Sequence, residues 1–412
     1  MAKIKIKNVG PIKTGFTSGD GFLEIKGITV FIGNQGSGKS TVAKLYSTLS
    51  WIEKALVRGD FTDRYVMQYN RFKKHLAYQN LSNYINENSY IEYVGNAFRL
   101  RFEHNQFHVS PNAHNNAYSF PKIMYVPAER NFVSSVDRPD LVKRLPLPLY
   151  TFMDEYEDAK QRLTESENLP VGNVSFEYKK HSKKSFLVGN DYQLELLEAS
   201  SGFQSLVPLI LVTRHLSEVI KNKTSETRKE ISREEEEKIR KAVTKAFEGK
   251  TISEDVLRVV LEKLSSRFKY ESFINVVEEP EQNLYPDSQK SVLHELVKYK
   301  NENPNNRLLI TTHSPYLINY LTHLVKASLV LDKINMSTNK IELTKKLDGI
   351  IPLKSLVGAK DWVVYELNES DGSIIKLEEY KDLPSDENYL NSSLGKSNDI
   401  FINLLEIEEL CQ

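Results

Sequence analysis

The chain has 412 residues, of which 40% are hydrophobic, and its 55 basic residues balance 55 acidic ones. This length supports a sizeable core in two or three structural units, and the neutral charge argues against a protein built mainly to coat nucleic acid. The only cysteine, Cys411, excludes a disulfide framework and a cysteine metal cluster. Since no apolar run reaches about 18 residues and the N-terminus lacks a signal-peptide pattern, we expect a cytoplasmic protein with no membrane partner.

Residues 1–55 contain the strongest motif. Two predicted strands, Lys3 to Val9 and Gly21 to Lys26, precede a buried-type strand from Ile28 to Ile32. The pattern G-x-x-x-x-G-K-[ST] follows, and then an amphipathic helix, which is the context of a P-loop. Its glycines let backbone N–H groups surround phosphates, while Lys39 reaches the β- and γ-phosphates and Ser40 ligates Mg²⁺. The predicted nucleotide-binding residues of this loop are Gly33, Asn34, Gln35, Gly36, Ser37, Gly38, Lys39, Ser40 and Thr41.

Residues 56–117 read as an insertion, with a polar helix from Tyr65 to Tyr84 and a hairpin from Ser89 to Ser110 that turns at Gly95-Asn96. The helix mixes basic and aromatic side chains, which is compatible with a nucleic-acid face. A solvated or subunit-facing helix is the alternative, and the neutral net charge favours it. The basic and aromatic residues concerned are Arg64, Arg71, Lys73, Lys74, His75, Tyr65, Tyr69 and Tyr78.

Residues 118–221 return to the pattern of a nucleotide-binding head. A buried-type strand from Ile123 to Val126 runs into the polar sequence PAERN, which we expect to project into a ligand site at the sheet edge. Helical residues then lead to strands at 174–179, 185–188 and 192–197, and the sequence SSGFQS opens an apolar helix from Leu206 to Ile220. Residues 222–268 form a second, charged insertion, predicted as a solvated helix rather than a long coiled coil.

Residues 269–412 complete the head. The apolar strand from Phe273 to Val277 ends in Glu278-Glu279-Pro280-Glu281. Carboxylates at the end of a buried strand are costly unless a positive charge meets them, and in a P-loop protein we expect that charge to be Mg²⁺, which activates a water molecule. After a helix from Asp287 to Tyr299, the strand from Leu308 to Thr312 ends in His313, which is placed to reach a phosphate. Further strands are predicted at 328–331, 340–343, 362–367 and 373–377, with a short acidic tail from Glu406.

Taken in order, the motifs GNQGSGKST, YVPAERN, SSGFQS, VVEEPEQNLYP and TTHSP resemble the ABC-type ATPases of the OLD/RecF/SMC kind. The resemblance covers most of the chain apart from the two insertions. It implies an α/β P-loop NTPase head with a mixed β-sheet and two mainly helical insertions, ATP and Mg²⁺ as cofactors, and a homo-oligomer with composite sites.

The resemblance also implies roles for individual residues. Glu278 would hold Mg²⁺ together with Ser40, Glu279 would be the general base, and His313 would sense the γ-phosphate. Ser201 and Gly202 of the signature-like SSGFQS would act on the nucleotide of a neighbouring subunit. We count Gln204 and Arg130 with the nucleotide-binding residues, since YVPAERN stands where the usual Q-loop glutamine is missing.

The same resemblance suggests a biological setting. OLD proteins carry a Toprim nuclease domain after the ATPase, whereas only about a hundred residues follow His313 here. The chain therefore resembles the stand-alone ATPases of the anti-phage modules PARIS and Septu, in which a separate effector, a Toprim or HNH nuclease, would be released when a phage protein or DNA acts as trigger. The alternatives are a RecF-like DNA-binding ATPase in repair and, less favoured, a transporter ATPase.

Overall fold

The computed structural model describes residues 2–112, 118–142, 144–223 and 270–410, which form a mixed α/β fold. The helices are α1 Lys39–Arg58, α2 Asp63–Val66, α3 Arg71–Ala77, α4 Phe132–Ser135, α5 Leu147–Arg162, α6 Ser201–Lys223, α7 Pro286–Asn301, α8 Pro315–Ile334, α9 Lys340–Asp348 and α10 Tyr389–Leu410. The strands are β1 Lys3–Lys7, β2 Gly15–Phe16, β3 Leu23–Glu24, β4 Ile28–Gly33, β5 Tyr90–Val94, β6 Phe98–Glu103, β7 Gln106–Pro111, β8 Pro121–Val126, β9 Glu167–Asn168, β10 Ser175–Lys179, β11 Lys184–Val188, β12 Gln193–Glu195, β13 Ser272–Glu278, β14 Arg307–Thr311, β15 Trp362–Leu367, β16 Ser373–Lys376, β17 Glu379–Tyr380 and β18 Leu383–Pro384.

The central sheet has the strand order β2-β16-β15-β4-β14-β13-β8. Strands β8, β13, β14, β4 and β15 run parallel, whereas β16 pairs antiparallel with β15, so the sheet is mixed. Every residue of β4 and β13 is buried, as expected for parallel strands that are covered on both faces. The carboxyl ends of five neighbouring strands therefore meet at one edge, where ligands bind in open α/β sheets.

A second, antiparallel sheet has the order β3-β1-β5-β6-β7. Helix α1 packs between this sheet and the central one, since Leu45 of α1 shares one core with Ile4 of β1 and Phe31 of β4. The buried carboxylate of Glu53 accepts hydrogen bonds from the Tyr93 hydroxyl at 2.8 Å and from the Ala97 N–H at 2.7 Å. The helix that follows the P-loop is thus fixed on both sides.

Helices α5 to α8 cover the opposite face of the central sheet. Ile28, Val30 and Ile32 of β4 point into their core, whereas Phe31 points toward α1. This alternation is the period of two expected for a strand. A small antiparallel sheet of β9, β10, β11 and β12 precedes α6 and contributes Phe176 and Leu187 to the same core.

Several predicted elements are confirmed. The strands that carry the P-loop, the Glu278-Glu279 pair and His313 are β4, β13 and β14, and the hairpin that turns at Gly95-Asn96 is β5–β6. Because β5 pairs with β1, residues 90–94 share a sheet with the N-terminal strand. The boundaries predicted for the first insertion stay a prediction, and nearly all of the second insertion, from residue 224 on, lies outside the described residues.

Other predicted elements are wrong. The predicted strands at 328–331 and 340–343 lie in helices α8 and α9. The predicted helix from Tyr65 to Tyr84 is two short helices, α2 and α3, separated by a turn at Asn70 with a positive φ of 62°. The predicted acidic tail from Glu406 belongs to α10, whose second half exposes large apolar side chains such as Phe401 and Leu405. Among the described residues, no helix combines the length and apolar content needed to cross a bilayer.

Candidate nucleotide-binding site

The P-loop lies between β4 and α1, and its backbone requires glycine. Gly33 and Gly38 have φ values of 140° and 103°, in the region that side chains disfavour. A Cβ atom at Gly33 would lie 2.3 Å from the carbonyl oxygen of Leu367, and one at Gly38 would lie 2.8 Å from Cγ1 of Ile12. The loop therefore follows a path that glycine alone permits, with the N-terminus of α1 directed at the space above it.

Lys39, the first residue of α1, holds its ammonium group under the loop. Nζ donates hydrogen bonds to the carbonyl oxygens of Gly33 at 2.9 Å and Asn34 at 2.8 Å. Burial lowers the pKa of Lys39 to about 8, although the negative charge of Glu279 and of other nearby glutamates opposes this shift. The cation is thus held in the loop by main-chain oxygens that phosphate oxygens can replace.

Three parallel strands bring the predicted catalytic residues to the P-loop. Glu278 of β13 pairs in register with Thr311 of β14, and Thr311 pairs with Phe31 of β4. His313, two residues past β14, has Nδ1 at 3.5 Å from Lys39 Nζ and Nε2 at 3.5 Å from Glu279 Oε1. His313 therefore lies between the Lys39 ammonium group and the carboxylate of Glu279, the predicted base.

Glu279 adopts an unusual backbone conformation at the end of β13. Its φ is 42°, a left-handed value that disfavours a side chain by about 1–2 kcal/mol. Its N–H donates to the carbonyl oxygen of Thr311 at 2.9 Å, which holds the turn in place. The hydrogen bond with His313 lowers the pKa of the Glu279 carboxyl, with help from the charges of Lys39 and Arg130. Glu279 is therefore a half-exposed carboxylate, ionised and directed at the ligand space.

Glu278 fits the role of magnesium ligand. Its Oε2 accepts from the Ala128 N–H at 3.3 Å, whereas the buried Oε1 has no hydrogen-bond partner among the described residues. Burial and the charge of Glu278 raise the pKa of neighbouring Tyr125 well above its usual range. The described residues contain no cluster of three acidic, histidine or cysteine ligands. A single carboxylate with the Ser40 hydroxyl suits Mg²⁺, which keeps several waters and is completed by substrate phosphates.

Glu281 contacts the loop that carries His313. Its Oε1 accepts from the Thr312 hydroxyl and from the His313 N–H, both at 2.8 Å. Burial raises the pKa of this carboxyl. Glu281 thus positions His313. The sequence did not predict this role, although Glu281 stands in the acidic motif that follows β13. Glu369 was missed entirely: its Oε1 accepts from the side-chain amide of Asn34 in the P-loop at 2.9 Å.

Arg130, counted above with the nucleotide-binding residues, has a buried side chain in this structure. It is 0% exposed, and its guanidinium donates to the carbonyl oxygens of Glu278 and Glu279, both at 2.7 Å. Burial lowers the pKa of Arg130 to about 10, although the charges of Glu281, Glu279 and other glutamates oppose the shift. Arg130 is therefore the residue of PAERN whose charge points inward. Its guanidinium satisfies the main-chain carbonyl oxygens of the turn after β13, which would otherwise be buried without donors.

The signature-like residues occupy the start of α6. Ser201 is exposed, and no hydrogen bond among the described residues joins it to the P-loop. Gln204 is buried, and its amide donates to the carbonyl oxygen of Leu197 at 2.8 Å, so it contacts its own chain. A Cβ at Gly202 would lie 2.7 Å from the carbonyl oxygen of Asn283, so this glycine permits close packing within one subunit.

This P-loop on a mixed, mostly parallel sheet defines the chain as a P-loop nucleotide-binding fold. A family model described as "AAA domain, putative AbiEii toxin, Type IV TA system" matches residues 274–319, which span the Glu278-Glu279 and His313 motifs. No curated protein matches the chain at a significant level.

The solved structures that align with this chain include ATPase heads at low identity and low TM-score. The SMC head domain from Thermotoga maritima is 10% identical with a TM-score of 0.36, and the alignment covers 91% of this chain and 98% of that one. A Pyrococcus furiosus Smc head with an extended coiled coil, bound to the C-terminal domain of ScpA, is 10% identical with a TM-score of 0.39, covering 98% and 100%. A dimeric ATP-binding cassette in a post-hydrolysis state, bound to ADP and Pi, is 10% identical with a TM-score of 0.29, covering 92% and 100%. Similarity this remote assigns no function to the chain.

Proposed function

We propose that this protein binds ATP with Mg²⁺ at the P-loop and hydrolyses it. The observation that carries the proposal is the line of Lys39, His313 and Glu279, with successive separations of 3.5 Å. Lys39 contacts the phosphates, His313 donates toward the terminal phosphate, and Glu279 accepts the proton of the attacking water. Mg²⁺, held by Ser40 and Glu278, would neutralise phosphate charge when bound.

Substitution of the predicted base tests this proposal. Glu279→Gln keeps the size of the side chain but cannot accept a proton, so phosphate release should slow roughly a hundredfold or more while ATP still binds. Glu295→Gln is the matched control, since Glu295 lies on α7 and pairs with Lys298. Equal turnover in the Glu279→Gln variant and the unmodified protein would contradict the assignment of Glu279 as base.

We further propose that two copies of the chain share each ATP site. The exposed Ser201 stands at the N-terminus of a 23-residue helix, where free N–H groups attract anions. The P-loop of one chain already surrounds the phosphates of its own nucleotide. We therefore infer that the N-terminus of α6 contacts the nucleotide bound by a second copy of the chain. ATP-bound Glu279→Gln protein should therefore accumulate as an oligomer, which analytical ultracentrifugation with and without ATP measures.

The partner that we propose is a separate effector, a Toprim or HNH nuclease, held by the ATP-bound oligomer and released when a phage protein or DNA changes the assembly. The support is the motif resemblance to the stand-alone ATPases of anti-phage modules. Co-expression with the product of the neighbouring gene, followed by pull-down with and without ATP, tests this part. A neighbouring product that is no nuclease and does not co-purify would contradict it.

A second candidate function is that of a RecF/SMC-like DNA-binding ATPase, and a basic surface around α3 favours it. Arg64, Lys73 and Lys74 are exposed there beside Tyr69, which is 81% exposed and lines a cavity of about 590 Å³. His75 and Tyr78 are buried, so the basic–aromatic face predicted from the sequence is smaller than expected. DNA-stimulated turnover, with an affinity that falls steeply with salt, would favour this function.

A further inference from the structure

Arg130 is a buried cation that the proposed reaction does not use. It lies in a short 3-10 turn, Ala128–Asn131, directly after β8. Its side chain is fully buried, and the hydrogen bonds of its guanidinium go to main-chain carbonyl oxygens. Because an unpaired buried charge is strongly unfavourable, such a residue is expected to make contacts that no neutral side chain can replace.

Those contacts go to main-chain carbonyls of two separate elements. Two guanidinium nitrogens donate to the carbonyl oxygens of Glu278 and Glu279 at 2.7 Å each. The third nitrogen, Nε, donates to the carbonyl oxygen of Ser205 at 3.3 Å. One planar group therefore joins the turn after β13 to the first turns of α6.

The turn after β13 depends on this support. Glu279 has a left-handed backbone, a conformation that persists where the surrounding structure holds it. Arg130 bonds the carbonyl oxygen of Glu279, while the N–H of Glu279 bonds Thr311. The direction of the Glu279 carboxylate toward His313 follows from this backbone.

The start of α6 is joined to the same turn by two more contacts. The Ser205 hydroxyl donates to Oε1 of Gln282 at 3.1 Å. Gly202 packs so closely on Asn283 that a Cβ would lie 2.7 Å from its carbonyl oxygen. These contacts join the start of α6, which holds Ser201, to the turn that holds Glu279, although the two residues are 78 positions apart in the sequence.

We propose that Arg130 is a positioning residue that fixes Glu279 for proton transfer and couples the two ATP sites of a dimer. The proposal rests on the function proposed above, in which Ser201 of one copy contacts the nucleotide of the other. A shift of the Glu279 turn in one site then moves α6, and with it the residue that completes the second site.

Steady-state ATP hydrolysis by Arg130→Lys tests this role, with Arg58→Lys as a matched control. Arg58 is also a buried arginine, but it pairs with Asp60 at the end of α1. Lysine cannot bond carbonyls of both elements in the geometry of a planar guanidinium. We expect kcat to fall roughly a hundredfold, as for a misplaced catalytic group, with the KM for ATP within about twofold. The control should keep both constants.

Gln282→Ala tests the coupling separately, because it removes the Ser205 contact and leaves the bonds of Arg130 in place. We expect the unmodified protein to respond to ATP with a Hill coefficient above 1. Arg130→Lys should lower this coefficient to near 1, and Gln282→Ala, which removes one of the contacts between the two elements, should lower it in part. If Arg130→Lys does not fold, as judged by circular dichroism, Gln282→Ala decides alone.

The outcomes separate this inference from the proposed function. An unmodified protein without ATP hydrolysis contradicts the proposed function itself. An active protein whose kcat is unchanged by Arg130→Lys overturns the positioning role. A Hill coefficient of 1 in the unmodified protein, or a higher one that neither variant lowers, overturns the coupling.

Discussion

The lowered pKa of Lys39 predicts that ATP binding depends on pH in a specific range. Burial of Nζ lowers this pKa to about 8, compared with 10.5 for an ordinary lysine. Between pH 8 and pH 10.5, the Lys39 side chain of the folded protein without ATP is therefore mostly uncharged. The ammonium form is the one that attracts phosphate, so binding above pH 8 requires uptake of a proton.

The size of the effect follows from the charged fraction. About three quarters of Lys39 is charged at pH 7.5 and roughly one-tenth at pH 9, so the apparent affinity for ATP should fall roughly eightfold between them. The same shift has the opposite sign for stability. Because the folded-state pKa lies below the unfolded value, the unfolded chain binds more protons between pH 8 and 10.5. The contribution of Lys39 to the free energy of unfolding therefore rises with pH in this range. Weaker ATP binding at pH 9 is then not caused by loss of stability through Lys39.

Isothermal titration calorimetry in two buffers of different ionisation enthalpy measures the uptake directly. We expect close to one proton per ATP at pH 9 and about a quarter of a proton at pH 7.5. Glu279→Gln is informative here, because Glu279 is the main charge that opposes the lowered pKa of Lys39. In that variant the fall in affinity should begin at a lower pH. Constant affinity from pH 7.5 to 9 with no proton uptake would refute this account of Lys39.

Three substitutions test other parts of the site. Lys39→Ala removes the mobile cation of the loop and should abolish ATP binding in calorimetry, whereas wild-type affinity would remove the P-loop assignment. His313→Ala should lower kcat more than nucleotide affinity, and equal losses of ADP and ATP binding would instead indicate a structural role. Gly202→Ala forces a Cβ to 2.7 Å from the Asn283 carbonyl and should destabilise the fold by about 1–3 kcal/mol in chemical denaturation. Gly395→Ala, where a Cβ meets nothing within 4 Å, is its control and should not destabilise.

Much of the site could be predicted because parallel strands impose a simple rule. An apolar run of β-branched residues that ends in polar ones places those residues at the carboxyl edge of the sheet, and β4, β13 and β14 all follow it. The glycine pattern of the P-loop is equally local, since its φ values allow little else.

Residues with long-range contacts could not be predicted in the same way. Nothing in the sequence near Arg130 indicates that its side chain turns inward to carbonyls of Glu278 and Glu279, about 150 positions away. Gly202 is similar, because its close contact is with Asn283. The sequence around Gly202 gives no sign of this contact within one chain.

The errors in secondary structure come from short apolar runs. Residues 328–331 read SLVL, which suits a buried strand when taken alone. In the structure they extend α8, whose buried Leu317, Leu321 and Leu324 recur at helical spacing. The helical spacing of the apolar residues before this segment therefore predicted its structure better than the short apolar run itself.

A mixing experiment with two inactive variants tests whether two copies of the chain share an ATPase site. Ser201→Arg blocks closure by bulk and Lys39→Ala lacks the P-loop cation, so each variant alone should be inactive. In a mixed dimer one site combines an intact P-loop with an intact Ser201. With free exchange at equal amounts, half of the dimers are mixed and each has one intact site, so activity should return to at most about one quarter of that of the unmodified protein. If subunits exchange and no activity returns at any ratio, the site is not shared and the account is wrong.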